Sequence, residues 1–170
     1  MIGIPDTNAA IYMTKAGLWG MARGTFDEIW FDRAVYGETA ERGKQENRAD
    51  ASALEDIVRK KDSKIRIKTE DAAAFAREKM WFVGPGETSV YVLSSGRKDA
   101  IPITSDRIAK NKFERRGIAA IRTDEMIFAS LEAKKISRDE FIVALAKLRE
   151  VGGTTSERIA LLMKKAEEIR

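Results

Sequence analysis

Five short apolar runs, each followed by a stretch of helical period, constrain this chain more than any other feature. They are Ile2 to Ile4, Phe26 to Phe31, Ile65 to Ile67, Ala100 to Thr104 and Ile118 to Ile121. Short runs rich in β-branched and aromatic residues read as strands, and strands that alternate with helices build βαβ units around a parallel sheet. The expected fold class is therefore α/β, with a central, mainly parallel sheet covered by helices on both sides. A chain of 170 residues is enough for one such domain and too short for a second independent core. Residues 1–170 thus read as a single domain.

Punctuation residues divide the stretches between these runs. The pattern predicts a helix carrying Ile11, Leu18 and Met21, and a helix from about Arg33 that runs in two pieces through the charged segment Glu41 to Asp62. Ala72, Phe75, Ala76 and Met80 recur at helical spacing until Gly84-Pro85-Gly86 stops them, and a new helix carrying Val90, Val92 and Leu93 starts near Glu87. Asp106 to Arg116 reads as a helix closed by a left-handed Gly117. From about residue 124 the chain is all helix, as additional elements within or appended to the same domain. Ser137 with Glu140, and Thr154 with Glu157, have capping-box spacing. Gly84-Pro85-Gly86 lacks the continuation of a nucleotide-binding loop, so it reads as a helix stop.

What is missing narrows the chemistry. With no histidine and no cysteine, a Ser-His-Asp triad, a thiolate nucleophile, zinc fingers and thiolate-bound clusters are excluded. Catalysis, if any, rests on carboxylates, lysine or hydroxyls. Clustered carboxylates repel one another, and a hard cation such as Mg²⁺ or Mn²⁺ relieves that repulsion while acidifying a bound water. A net charge of +4 is compatible with a phosphate-bearing partner and equally with an ordinary solvated surface. No apolar run is long enough to cross a bilayer, so no membrane partner is expected and the cytoplasm is the expected location.

In open parallel sheets ligands sit beyond the carboxyl ends of the strands. Three acids meet that test: Asp6, Asp106 and Asp124. Each also precedes a helix, where capping is the ordinary role of aspartate. Glu38, a turn after Ala34 and Val35, and Glu87, at a helix start where the dipole favours an anion, could join them. Trp30, Tyr36, Trp81 and Phe82 could stack on bases, but core packing is the commoner role of such residues.

These residues resemble the PIN domain, and within it the single-domain prokaryotic proteins often found as toxins beside an antitoxin. Ile4-Pro5-Asp6-Thr7-Asn8 resembles the family's opening strand ending in Asp-Thr-Asn, and Ala34-Val35-Tyr36-Gly37-Glu38 its acid-bearing helix. Gly86-Glu87-Thr88-Ser89 is similar to the Gly-Glu turn of one branch, although many relatives place that acid where this chain has Ser89. Ile103-Thr104-Ser105-Asp106-Arg107, followed by Arg116-Gly117-Ile118, resembles the Thr-x-Asp strand end, helix and returning strand.

The resemblance covers two-thirds to three-quarters of the chain and implies a three-layer α/β/α PIN-like fold. It implies a catalytic cluster of Asp6, Glu38, Glu87 and Asp106, with Asp6, Asp106 and Glu87 as ligands of Mg²⁺ or Mn²⁺. Asn8 and Thr104 would support the cluster through hydrogen bonds, and Asp124 stands as a further supporting acid. The implied activity is metal-dependent hydrolysis of single-stranded RNA by an endoribonuclease, in a homodimeric toxin with an antitoxin protein as partner. The alternative is a catalytically inactive nucleic-acid-binding or regulatory PIN-like module. A phosphotransfer receiver ranks third, because it needs two acids after the first strand and this chain offers Asp6 alone.

Overall fold

The computed structural model describes residues 1–60, 64–82 and 84–169. Asp62, the expected end of the charged helical segment, lies outside them. Five strands form one sheet: β1 (Ile2–Pro5), β2 (Glu28–Asp32), β3 (Ile65–Lys68), β4 (Ala100–Thr104) and β5 (Ile121–Arg122). Their order is β3-β2-β1-β4-β5, and every pairing is parallel. The chain builds outward from β1 through β2 to β3, then returns to the other side of β1 to lay down β4 and β5. The switch point of this topology therefore falls between β1 and β4, where a crevice opens beyond the strand ends.

Right-handed crossovers dictate which face each helix covers. Helices following β1 and β2 lie on one face: α1 (Thr7–Lys15), α2 (Trp19–Thr25), α3 (Arg33–Tyr36), α4 (Arg42–Gln45) and α5 (Ala49–Arg59). Helices following β3 and β4 lie on the other: α6 (Ala72–Glu78), α7 (Pro85–Ser94) and α8 (Arg107–Arg115), with Phe82 stacked on Phe113 at 5.4 Å. The expected three-layer α/β/α arrangement is present.

The last helices, α9 (Thr123–Glu132), α10 (Arg138–Glu150) and α11 (Ser156–Glu167), extend the first face. Phe141, Leu145, Leu148 and Leu162 belong to the same buried apolar cluster as Ile4, Ile29 and Phe31.

Three local expectations differ from the structure. The segment read as one helix through Ile11, Leu18 and Met21 is two, because Gly17 takes a left-handed conformation at φ +69° and turns the chain between α1 and α2. Of the run Ile118 to Ile121 only Ile121 joins the sheet, followed there by Arg122, since Ile118 to Ala120 first carry the chain away from the turn at Gly117. The cap of α11 is Thr155, whose hydroxyl accepts from the Arg158 N–H at 3.3 Å, while Thr154 turns inward. By contrast, the Ser137–Glu140 capping box forms reciprocally at the start of α10.

Candidate active site

Asp6 stands at the switch point. Its backbone N–H donates to the Ile103 carbonyl at 2.9 Å, continuing the pairing of β1 with β4. Its Oδ1 accepts from the Ala9 N–H at 2.7 Å, so it does cap α1. The second strand end contributes Asp106, which caps α8 by accepting from the Ile108 N–H at 2.6 Å. Thr104 lies beside both, since its hydroxyl accepts from the Asp106 N–H at 3.0 Å and, close to Asp6, favours the ionised form of that carboxyl. Capping is therefore compatible with a place beside the crevice, since each aspartate gives one oxygen to its helix.

Burial, the largest effect, pushes the Asp6 carboxyl up to about 6, and the negative charges of Glu87 and Asp106 push the same way against the Thr104 and Ala9 hydrogen bonds. Through-space repulsion of this kind requires the three acids to share one neighbourhood. Glu87 reaches it from the first turn of α7, placed there by the Gly84-Pro85-Gly86 entry, with Pro85 at a position that needs no N–H. Its Oε2 is buried without a hydrogen-bond partner, and the Lys112 Nζ stands 3.9 Å away. Ser89, two residues on, is fully buried within α7.

Glu38 comes from a π-helical turn, Gly37–Glu41, inserted between α3 and α4. Such a bulge re-aims side chains that a regular helix would point elsewhere. The Thr7 hydroxyl donates to Glu38 Oε2 at 2.7 Å. Gly86 must lack a side chain here, as a β-carbon would lie 2.6 Å from Thr7 Oγ1.

Two neighbouring clefts result. One, of about 220 Å³, is lined by Asp6, Thr7, Asn8, Glu38 and the Gly84–Glu87 turn. The other, of about 320 Å³, is lined by Asn8, Tyr12, Ser105, Asp106, Arg107 and Gly152. Asn8 is the rim between them, exposed, and its side chain makes no hydrogen bond among the described residues. A larger groove of about 550 Å³ opens between Leu18 and Val143, but no cluster of acids converges there, so size does not mark the site.

Asp124 is not brought to these acids. It lies in the first turn of α9 with both oxygens engaged: Oδ2 by the Thr154 hydroxyl at 2.7 Å and Arg158 Nε at 3.2 Å, Oδ1 by Arg158 Nη2 at 3.2 Å. It ties α11 to α9. Another acid at the sheet edge went unread in the sequence, although the strand-end rule reaches it. Asp32 closes β2, is fully buried, and caps α3 through Oδ1, while its Oδ2 meets no hydrogen-bond donor. Burial first, and the facing Glu70 second, push its carboxyl up to about 7.

The donor set at the switch point is all oxygen, which suits Mg²⁺ or Mn²⁺. Glu87 Oε2, which accepts no hydrogen bond among the described residues and has only the Lys112 ammonium at 3.9 Å, is an atom that a metal cation would satisfy. As the side chains stand, no three acids among the described residues are gathered closely enough to enclose a metal ion. The donors fit such an ion in kind, and Glu87 and Asp106 stand near enough to Asp6 for their charges to raise its carboxyl.

A family model for the PIN domain matches residues 2–168. The chain belongs to the PIN-domain family. No curated protein and no solved structure matches the chain. PIN domains are in general nucleases, hence hydrolases, and typically use divalent metal ions. In this PIN domain Asp6, Glu38, Glu87 and Asp106 all sit at the carboxyl edge of the sheet around its switch point. Among the described residues, no helix is long and apolar enough to cross a membrane.

Proposed function

We propose that this PIN domain is a metal-dependent endoribonuclease that hydrolyses phosphodiester bonds of single-stranded RNA. The observation that carries the reading is Asp6: a buried carboxyl at the topological switch point, raised to about 6 with Glu87 and Asp106 as charged neighbours. Such an arrangement is costly for folding and useful for holding a cation.

Asp6, Asp106 and Glu87 would hold Mg²⁺ or Mn²⁺, which supplies polarisation of the phosphodiester and a more acidic water. Thr104 braces Asp106 through its backbone N–H and lies beside Asp6. Glu38, oriented by Thr7, takes part directly or through a bound water. With no histidine in the chain, proton handling falls to these carboxylates. Labelled RNA incubated with Mn²⁺ tests the reading: wild type cleaves and Asp106→Asn does not, whereas equal cleavage by both contradicts it.

One observation favours a second reading, a binding or regulatory PIN module without catalysis, namely that no three acids among the described residues stand gathered around a metal position. That module retains RNA in a salt-dependent manner and never cuts it. A homodimeric, cytoplasmic toxin restrained by an antitoxin protein is the biological setting we propose for the active form.

A further inference from the structure

A nuclease site with four acids spread over two neighbouring clefts repels the polyanion it must admit. Trp81 bears on this. Of the three tryptophans, Trp19 and Trp30 are buried, but Trp81 is 64% exposed and the preceding Met80 88% exposed. An aromatic ring left in water was expected in the core, so its surroundings matter.

The Arg116 guanidinium lies over the Trp81 ring at 4.8 Å and over Tyr91 at 4.9 Å. It is held there by the Tyr91 hydroxyl and by a close pair with Glu78. Phe82, next in the chain, is buried against Tyr91 and Phe113, with ring centroids 5.0 and 5.4 Å apart, so Trp81 stands on a fixed base. Lys112, on α8 four residues before its C-cap Arg116, sits 5.8 Å over Phe82 and 3.9 Å from Glu87 Oε2. A strip thus runs from an exposed indole past two cations to an acid of the cleft.

We infer that Trp81, Arg116 and Lys112 form a stacking and phosphate-binding strip that leads single-stranded RNA into the acidic cleft. The inference rests on the nuclease reading for its substrate. Single-stranded nucleic acids are bound by exposed aromatic rings that stack on bases beside cations that track the backbone, and arginine adds its own attraction to the ring face. Cations at the margin of the cleft offset the repulsion between its acids and phosphate. An apolar protein partner would have no use for the positive charges placed against the ring.

The test is a titration of the full chain in EDTA, where cutting is suppressed, with a short labelled single-stranded oligoribonucleotide. Anisotropy reports binding and intrinsic fluorescence reports stacking, selectively at Trp81 because the other two indoles are buried. The expected result is quenching on binding, about tenfold weaker binding by Trp81→Ala, and near wild-type binding by Trp81→Phe. Lys112→Gln is expected to lower the salt dependence by about one phosphate contact.

Binding without quenching, together with unchanged affinity in Trp81→Ala, overturns the strip and leaves the nuclease reading standing. Conversely, quenching by RNA from a wild-type chain that never cuts with Mn²⁺ supports the strip and removes the nuclease reading. A concentration-dependent dimer that Trp81→Ala abolishes, with RNA binding unchanged, assigns the surface to a second copy of the chain and overturns the inference.

Discussion

Asp6 and Asp106 lie just beyond the ends of β1 and β4, the edge at which open parallel sheets place their ligands. Asp32 obeys the same rule and has a measurable consequence. A carboxyl whose native value is about 7, against 3.8 when free, holds its proton more tightly folded than unfolded. Stability from this group is therefore fully present at low pH and is lost as pH rises through about 7. Asp32→Asn keeps an oxygen for the α3 cap and gains an N–H for Glu70, so thermal unfolding between pH 5 and 8 should show a flatter profile and a higher Tm than wild type at pH 8. A steeper decline in the variant contradicts the assignment. Gly86 tests the other acid at residue scale. A β-carbon there displaces the Thr7 hydroxyl from Glu38, so Gly86→Ala should lower kcat by about ten- to a hundredfold while leaving the Tm within a few degrees. Unchanged turnover would show that the Thr7–Glu38 bond is not needed.

At the scale of elements, strands and caps were legible where the signal is local, and were lost where a distant partner decided the outcome. The Ser137–Glu140 box forms as its spacing predicts, because all of its atoms lie within four residues. The box expected at Thr154 shifts by one residue because Thr154 is drawn inward to Asp124, 30 positions earlier. Asp124 was misplaced for the same reason: its strand is short, and Arg158, far along the chain, claims its oxygens. No local pattern encodes such a partnership. Asp124→Ala should leave Arg122 without its anion and Arg158 with Glu125 alone, and cost on the order of 3 kcal/mol in a denaturant titration. RNA binding by that variant, measured under conditions where it stays folded, should match wild type. A specific loss of RNA binding without a loss of stability would return Asp124 to the site.

For the whole molecule, the α/β class and the layer arrangement follow from the alternation of short apolar runs with helical stretches. The turning point between β1 and β4 depends on strand order, which a single sequence does not print. It is the order that converts acids at positions 6, 38, 87 and 106 into neighbours across one edge. The mild positive charge of the chain gains meaning only in three dimensions, where Lys112 and Arg116 stand between an exposed indole and the acids. The account depends most on those acids binding a divalent cation together, and a calorimetric Mn²⁺ titration of wild type and Asp6→Asn at pH 7.5 tests it directly. Binding by wild type that weakens at least tenfold in Asp6→Asn is the predicted result, and equal affinity in the two proteins would contradict it.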